Sequence, residues 1–280
     1  MSAHFREIII LSFLLMRLAI LNVSLKDAVR VWQDDFRVYR QKWKTEIVAA
    51  MIEPLFSFFA LAFGVGALIG TLANGVSYAT FISAGILSFN VLTTVFNELS
   101  YNAYERMVYD EKYAEYIADG VGAESVAFGD LLWGVSKSMV QCVFVLAVVL
   151  IFRGTTSVYA PLAVLPLAIG SLLVGALTLG VTARTNNPDN IKFMGSVFYS
   201  SIILCGLWFP IDLFPAWLQT LSNIIPMTGV IDLARSTFTY KFSIFSLYEL
   251  IYISLLAIIF TEFAIRSVKV RFANPKALDQ

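Results

Sequence analysis

From the amino end, the chain alternates between long apolar runs and short polar interruptions. About 20 mostly apolar residues suffice for a helix to cross a bilayer. Six such runs occur, at roughly 47–70, 78–99, 126–151, 159–183, 191–211 and 245–265. A seventh, Ile8 to Val23, is shorter and carries Arg17. An interfacial helix is its preferred reading and a further span the alternative. It lacks the small-residue cleavage site of a signal peptide. The pattern therefore predicts an all-α integral membrane protein with six transmembrane helices.

Three polar stretches break the pattern. Residues 27–44, DAVRVWQDDFRVYRQKWK, place Val29, Trp32, Phe36 and Tyr39 at helical spacing among arginines and lysines. That spacing predicts a basic amphipathic helix lying in the headgroup layer. Residues 104–119, YERMVYDEKYAEYIAD, carry Tyr104, Tyr109, Tyr113 and Tyr116 among acids, the last three at i, i+4, i+7. They predict an exposed, charged aromatic helix between the second and third spans. Such a surface rests on the bilayer interface or offers another protein tyrosines to grip.

The third stretch, GLWFPIDLFPAWLQTLSNIIP at 206–226, follows an apolar run yet holds three prolines, and Asp212 between two tryptophans. Pro210 is expected to end the fifth span and Pro215 to start a short amphipathic helix, where proline is tolerated. Asp212 stands near that helix's free amides or simply faces solvent. Trp217 and Leu218 would dip into the interface, and Pro226 would close the element.

Composition agrees with the pattern: 58% of residues are hydrophobic and only 14% charged, against about a quarter in soluble domains. Net charge is zero, but its distribution is uneven. Sixteen lysines and arginines fall on one side of the six spans, including Arg106 and Lys112 after the second, Arg184 and Lys192 after the fourth, and Arg266, Lys269, Arg271 and Lys276 at the end. Arg153, Arg235 and Lys241 fall on the other, and Lys137 lies within the third span. Positive charge is retained in the cytoplasm, so both termini are expected there and 206–226 outside.

Catalytic chemistry is hard to place. His4 is the one histidine, and Cys142 and Cys205 lie inside apolar runs, as reduced packing residues do. There is no nucleotide-binding Gly-x-x-x-x-Gly-Lys loop. Gly64, Gly66 and Gly70 read instead as small residues for close helix packing. No metal site is expected. Glu53, Glu98, Asp130, Lys137 and Glu262 fall in or near spans, where ionisable groups are costly and functional by default. Pairing or solvation near the membrane surface is their preferred reading. Phe193 to Ser201, FMGSVFYSS, gives the fifth span aromatic faces that suit sugars or lipid chains but also fill any membrane core.

Taken together, the basic leader, Glu53-Pro54 opening the first span, the Tyr-Glu-Arg-Met helix and FPIDLFPAWLQ followed by Ile225-Pro226 and Ile231-Asp232-Leu-Ala-Arg235 resemble the type-2 ABC exporter (ABC-2) permeases. The resemblance covers about residues 27–270 and is strongest to the lipo-oligosaccharide (nodulation-factor) and polysaccharide export branch. It implies a cytoplasmic leader at 1–46, a six-span domain at 47–270 and a cytoplasmic tail at 271–280. Trp32, Phe36, Arg37, Tyr39, Arg40 and Trp43 would form an interface helix. Tyr104, Glu105, Arg106, Tyr109, Lys112, Tyr113, Glu115 and Tyr116 would form a coupling helix against an ATPase. Phe209, Pro210, Asp212, Pro215, Trp217 and Pro226 would belong to a re-entrant outer lid between spans five and six. Phe193, Phe198, Tyr199 and Trp208 are candidates for the substrate path.

The implied assembly is a permease dimer with two ATPase subunits in a bacterial inner membrane. It needs no cofactor in this chain, with ATP and Mg on the partner, and it binds no nucleic acid. Such a chain is a transporter subunit and not an enzyme, moving a lipid-linked saccharide or similar amphipathic lipid. Drug or antibiotic efflux by the same architecture is the alternative. An ion-coupled carrier is disfavoured by the lack of an internal repeat.

Overall fold

A computed structural model describes residues 19–20, 22–73, 75–240 and 243–273. Residues 8–18 and 21 of the short N-terminal run, His4, Lys241 and 274–280 of the tail lie outside them. The described residues form helices, with a single isolated β-bridge between Thr71 and Ser77.

Five helices are long and apolar enough to cross a membrane. They are α1 (Leu25–Ile69), α2 (Tyr78–Val108), α4 (Ala123–Ile151), α5 (Ala160–Thr182) and α9 (Ile244–Ala273). Four shorter helices join them: α3 (Lys112–Ala118), α6 (Pro188–Leu204), α7 (Ala216–Ile224) and α8 (Pro226–Thr239). The most buried span is α2, with Leu87, Val91, Leu92, Val95 and Leu99 all excluded from solvent. Helices α4, α5 and α8 pack around it, α1 runs along α4, and α9 lies along α5. Most of the apolar surface of α1 and α9 remains open, as lipid-facing or partner-facing helices require.

Two expectations change here. The leader and the first span are one continuous helix: between Gln41 and Ile47 there is no glycine or proline, so nothing interrupts the ladder. The predicted fifth span, 191–211, is shorter than expected. Helix α6 has 17 residues, about 26 Å at 1.5 Å per residue, against a core of about 30 Å. It stops at Leu204, six residues before Pro210, because Gly206 takes the left-handed turn (φ 72°) that ends helices.

Glycines allow close approach, though not those expected. A Cβ on Gly64 or Gly70 would meet nothing within 4 Å. Gly129 is among the tight ones: a Cβ there would press on the Ala28 carbonyl oxygen and the Val31 side chain. That absence of side chain lets α1 lie directly on α4. Gly85 does the same for α2, where the Leu207 backbone seats the start of the 206–226 segment.

Contacts between helix ends sort the molecule into two poles. At one, Tyr104 donates to the Asn186 carbonyl at 2.9 Å, Arg271 donates to the Ala183 and Thr185 carbonyls, and Lys269 pairs with Glu124 at 2.6 Å. At the other, Ser157 donates to the Thr237 carbonyl and Arg235 reaches the Gly206 carbonyl. The poles group the charges as the sequence does: Arg106, Lys112, Arg184 and Arg271 together, Arg153 and Arg235 opposite.

Candidate functional site

The basic pole holds a buried charge cluster where α1, α2 and α4 meet. The hydrogen-bond ladder of α2 widens to π geometry over Glu98–Asn102, a distortion frequent at functional sites. Glu98 is 2% exposed. It accepts from Arg106 Nη1 (2.7 Å), Trp133 Nε1 (2.9 Å), Lys137 Nζ (3.0 Å) and Asn102 Nδ2 (2.7 Å). Arg106 Nη2 bridges to Asp130 at 2.6 Å, and Lys137 also pairs with Glu46 of α1 at 3.1 Å. Buried charges persist only when paired in this way.

Asp130 also accepts from the Tyr113 hydroxyl. Burial, then the Asp130 carboxylate, hold that phenol well above its ordinary pKa, so it stays a donor. The cluster thus ties three spans and α3 together. It lines a polar cavity of about 270 Å³ bordered by Asp35, Tyr39, Lys42, Glu105, Asp110 and Lys112.

The chain reverses beside this cluster. Helix α2 ends at Val108, Glu111 adopts a left-handed backbone (φ 52°), and α3 begins at Lys112. The predicted single helix over 104–119 is therefore two. Its tyrosine stripe is split: Tyr109 is 66% exposed, whereas Tyr113 is 2% and Tyr104 5% exposed. Tyr113 stacks on Phe272 of α9, and Tyr116 is half-buried with its hydroxyl 3.4 Å from Asp34. Arg106 belongs to the buried cluster. The exposed residues of the corner are Glu105, Tyr109, Asp110, Glu111, Ala114 and Glu115.

The leader is also turned from the expected face. Ala28, Val31 and Asp35 point inward. Trp32 stacks on Phe36 with ring centroids 5.5 Å apart and donates Nε1 to Ser136 at 3.0 Å. Phe36 and Tyr39 meet Trp133 edge-on. The aromatic stripe therefore packs partly on α4 instead of lying wholly on headgroups. Arg37 pairs with Asp34, while Arg40 and Trp43 are exposed.

At the opposite pole, the 206–226 segment holds a short helix after Pro215 as expected, but the preceding helix ends at Leu204 and not at Pro210. After Pro210, Ile211–Leu213 make one 3-10 turn, and Pro215 supplies the first carbonyl of α7. Asp212 does not cap α7; Gln219 does the folding, donating Nε2 to the Phe214 and Asp212 carbonyls. Trp217 and Phe209 are exposed, and Pro226 separates α7 from α8 as its first residue. Arg235 of α8 pairs with Asp232 at 2.9 Å and lies 4.0 Å over the Phe81 ring. Burial raises the Asp232 carboxyl above its ordinary range, and Arg235 opposes it.

The four aromatic path candidates separate. Phe198 stacks flat on Phe96 at 4.1 Å, Tyr199 donates to Asn97 at 3.1 Å, and Trp208 packs near Phe89. These three fasten α6 and the 206–226 segment to α2, while Phe193 is 72% exposed. Beside them an apolar cavity of about 290 Å³ runs along Leu177, Val181, Met194, Phe198 and Pro226.

Sequence reasoning singled out Glu98, Asp130 and Lys137 separately but missed that they form one cluster, and it missed buried Asp35. The signal for pairing was present, because Glu98 and Arg106 stand two helical turns apart, as do Asp130 and Lys137 on the next span.

The description "ABC-2 type transporter" belongs to the family model that matches residues 28–239. The chain is similar to Nodulation protein J of Rhizobium leguminosarum bv. trifolii, 26% identical over 210 residues, which covers 74% of this chain and 79% of that protein. It is 25% identical over 213 residues to Nodulation protein J of Bradyrhizobium diazoefficiens, covering 73% and 78%. The protein of that name from Sinorhizobium fredii is 24% identical over 220 residues, covering 78% and 83%.

Proposed function

Because this chain belongs to the ABC-2 type transporter family, we propose that it is the permease subunit of an ATP-driven exporter in a bacterial inner membrane. The observation that carries the coupling role is the Arg106 cluster. It anchors the exposed corner at Tyr109–Glu115 to three spans at once. A push on that corner would move α1, α2 and α4 as a body. The corner lies at the pole rich in lysine and arginine, which supports a cytoplasmic position for it, where a partner ATPase carrying ATP and Mg would dock.

In this reading α6 and the following lid together make the sixth crossing and its re-entrant outer end. Irregular backbone at that depth is tolerated where protein covers it or a wet cavity borders it. The open faces of α1, α6 and α9 suit a second copy of the chain and lipid. Relatives named Nodulation protein J, with the resemblance to lipo-oligosaccharide export permeases, favour a lipid-linked saccharide as substrate. A drug-efflux reading is kept alive by the apolar cavity along Phe198, which suits a hydrophobic drug as well as an acyl chain.

The test is to co-express the chain with its ATPase, reconstitute the complex and measure vanadate-sensitive ATP hydrolysis with candidate lipids. Stimulation by a lipid-linked saccharide supports the reading. Failure to assemble with any ATPase would overturn it.

A further inference from the structure

The lid covers a second polar site that the coupling role does not use. A cavity of about 330 Å³ lies between the lid, the start of α2 and α8. Phe81 comes from α2, Asp212, Gln219 and Asn223 from the lid, and Asp232 and Arg235 from α8. Arg235 is held on three sides: by Asp232, by the Gly206 carbonyl at 2.8 Å, and by the Phe81 ring beneath it. Its Nε is buried with no partner, a donor left over in a wall otherwise arranged to hold it. Asp212 and Asn223 are exposed and stand over the opening.

The chemistry of the wall selects its occupant. Two carboxylates against one guanidinium leave no positive excess, so a phosphate or carboxylate would be repelled. Hydroxyls both donate and accept, and the wall offers both: carboxylates accept, the guanidinium donates, the amides do either. The volume is at the lower end of small-molecule sites, about 300–1,000 Å³, which fits the end of an oligosaccharide and not its length. Along the chain, Asn223 borders the polar cavity and Pro226, three residues on, borders the apolar one, so one segment contributes to a polar wall and to an apolar one.

We propose that the cavity beneath the lid is a subsite for an uncharged saccharide terminus of the exported lipid; this rests on the exporter reading given above. Its occupant would lie between Asp232 and Arg235 on one side and Asp212 and Asn223 on the other.

The experiment uses the full chain in lipid nanodiscs and ligand-detected NMR with maltotetraose, tetra-N-acetylchitotetraose, inorganic phosphate and calcium as probes. At least one tetrasaccharide is expected to bind. Asp212→Asn and Asn223→Ala, both at exposed positions, are expected to weaken it about three- to tenfold, the loss of one hydrogen bond. Asp232→Asn is the inner counterpart, scored only if its melting temperature matches the parent. Absence of saccharide binding, binding unchanged in the exposed variants, or displacement of the sugar by phosphate or calcium would overturn the subsite. The same preparations are tested for ATPase assembly and vanadate-sensitive hydrolysis. Assembly and hydrolysis without sugar binding overturn the subsite alone, and sugar binding without assembly overturns the exporter reading.

Discussion

Arg106 reaches back eight residues along its own helix to bring Nη1 within 2.7 Å of Glu98 Oε1, and both side chains are nearly buried. Two helical turns separate them, so the pair spans the π-distorted stretch of α2 and closes it. The second arm of the guanidinium takes Asp130 of α4. Removing the arginine takes from buried Asp130 its cation and leaves Glu98 with Lys137 alone, at a cost of about 3–5 kcal/mol for breaking a buried pair. Arg106→Ala is therefore expected to lower the melting temperature sharply in detergent, and Arg106→Lys to recover only part of it because lysine lacks the fork. An unchanged melting curve for Arg106→Ala would show that the cluster is not structural.

The exposed corner predicts the opposite combination. Tyr109→Ala with Glu115→Ala removes surface side chains, and such substitutions usually change stability by no more than about 0.5 kcal/mol. Melting should stay at the parent value while ATPase co-purification and stimulated hydrolysis fall. Intact assembly and turnover would remove the corner from the ATPase contact. Tyr113→Phe, by contrast, should act through stability, since its hydroxyl is spent on Asp130.

Gly129 offers a packing test. Gly129→Val would drive a branched side chain into the Ala28 carbonyl and Val31, with an overpacking cost of about 1–3 kcal/mol. Gly122→Ala, whose nearest neighbour is a side-chain oxygen at 3.5 Å, is expected to be tolerated. Equal melting of the two variants would argue against close α1–α4 contact.

Gly206 offers a backbone test at the other pole. Its φ of 72° costs an L-residue about 1–2 kcal/mol, and a Cβ would also meet the Ile211 side chain. Gly206→Ala should lower stability and increase proteolysis within 207–225. A lid as resistant to protease as the parent would contradict the turn.

The lid makes a functional prediction as well. Pro210 and Pro215 bracket the single 3-10 turn and hold the extended backbone before α7. Replacing both with alanine should impair export more than ATPase binding, because the corner lies at the far pole. Equal loss of both would mean that the prolines serve folding alone.

Legibility in the sequence followed physical range. Spans with 20 or more apolar residues were visible because a bilayer demands a fixed length, and the lysines and arginines group at the two poles as they do along the chain. The prolines marked the break in helix between α6 and α8. The fifth span was over-read, since apolar residues 205–211 look continuous with it although Gly206 turns the chain. The tyrosine repeat was over-read for a related reason: three tyrosines at helical spacing share a stripe only if the helix continues, and Glu111 breaks it. Asp35 lies in a stretch of six charged residues within 34–44, where composition alone says solvent.

Apolar length, charge bias and the proline-marked break at 206–226 belong to the sequence itself, because each obeys a constraint local to a single segment. Which charges meet, which glycines touch and which tyrosines face outward were decided only by tertiary structure. Glu98, Arg106, Asp130 and Lys137 become one cluster because Gly134 lets α4 close on Leu99 of α2, and Gly129 lets α1 lie beside them. Asp232 and Arg235 become the wall of a cavity because Gly85 lets the lid's first turn settle against α2.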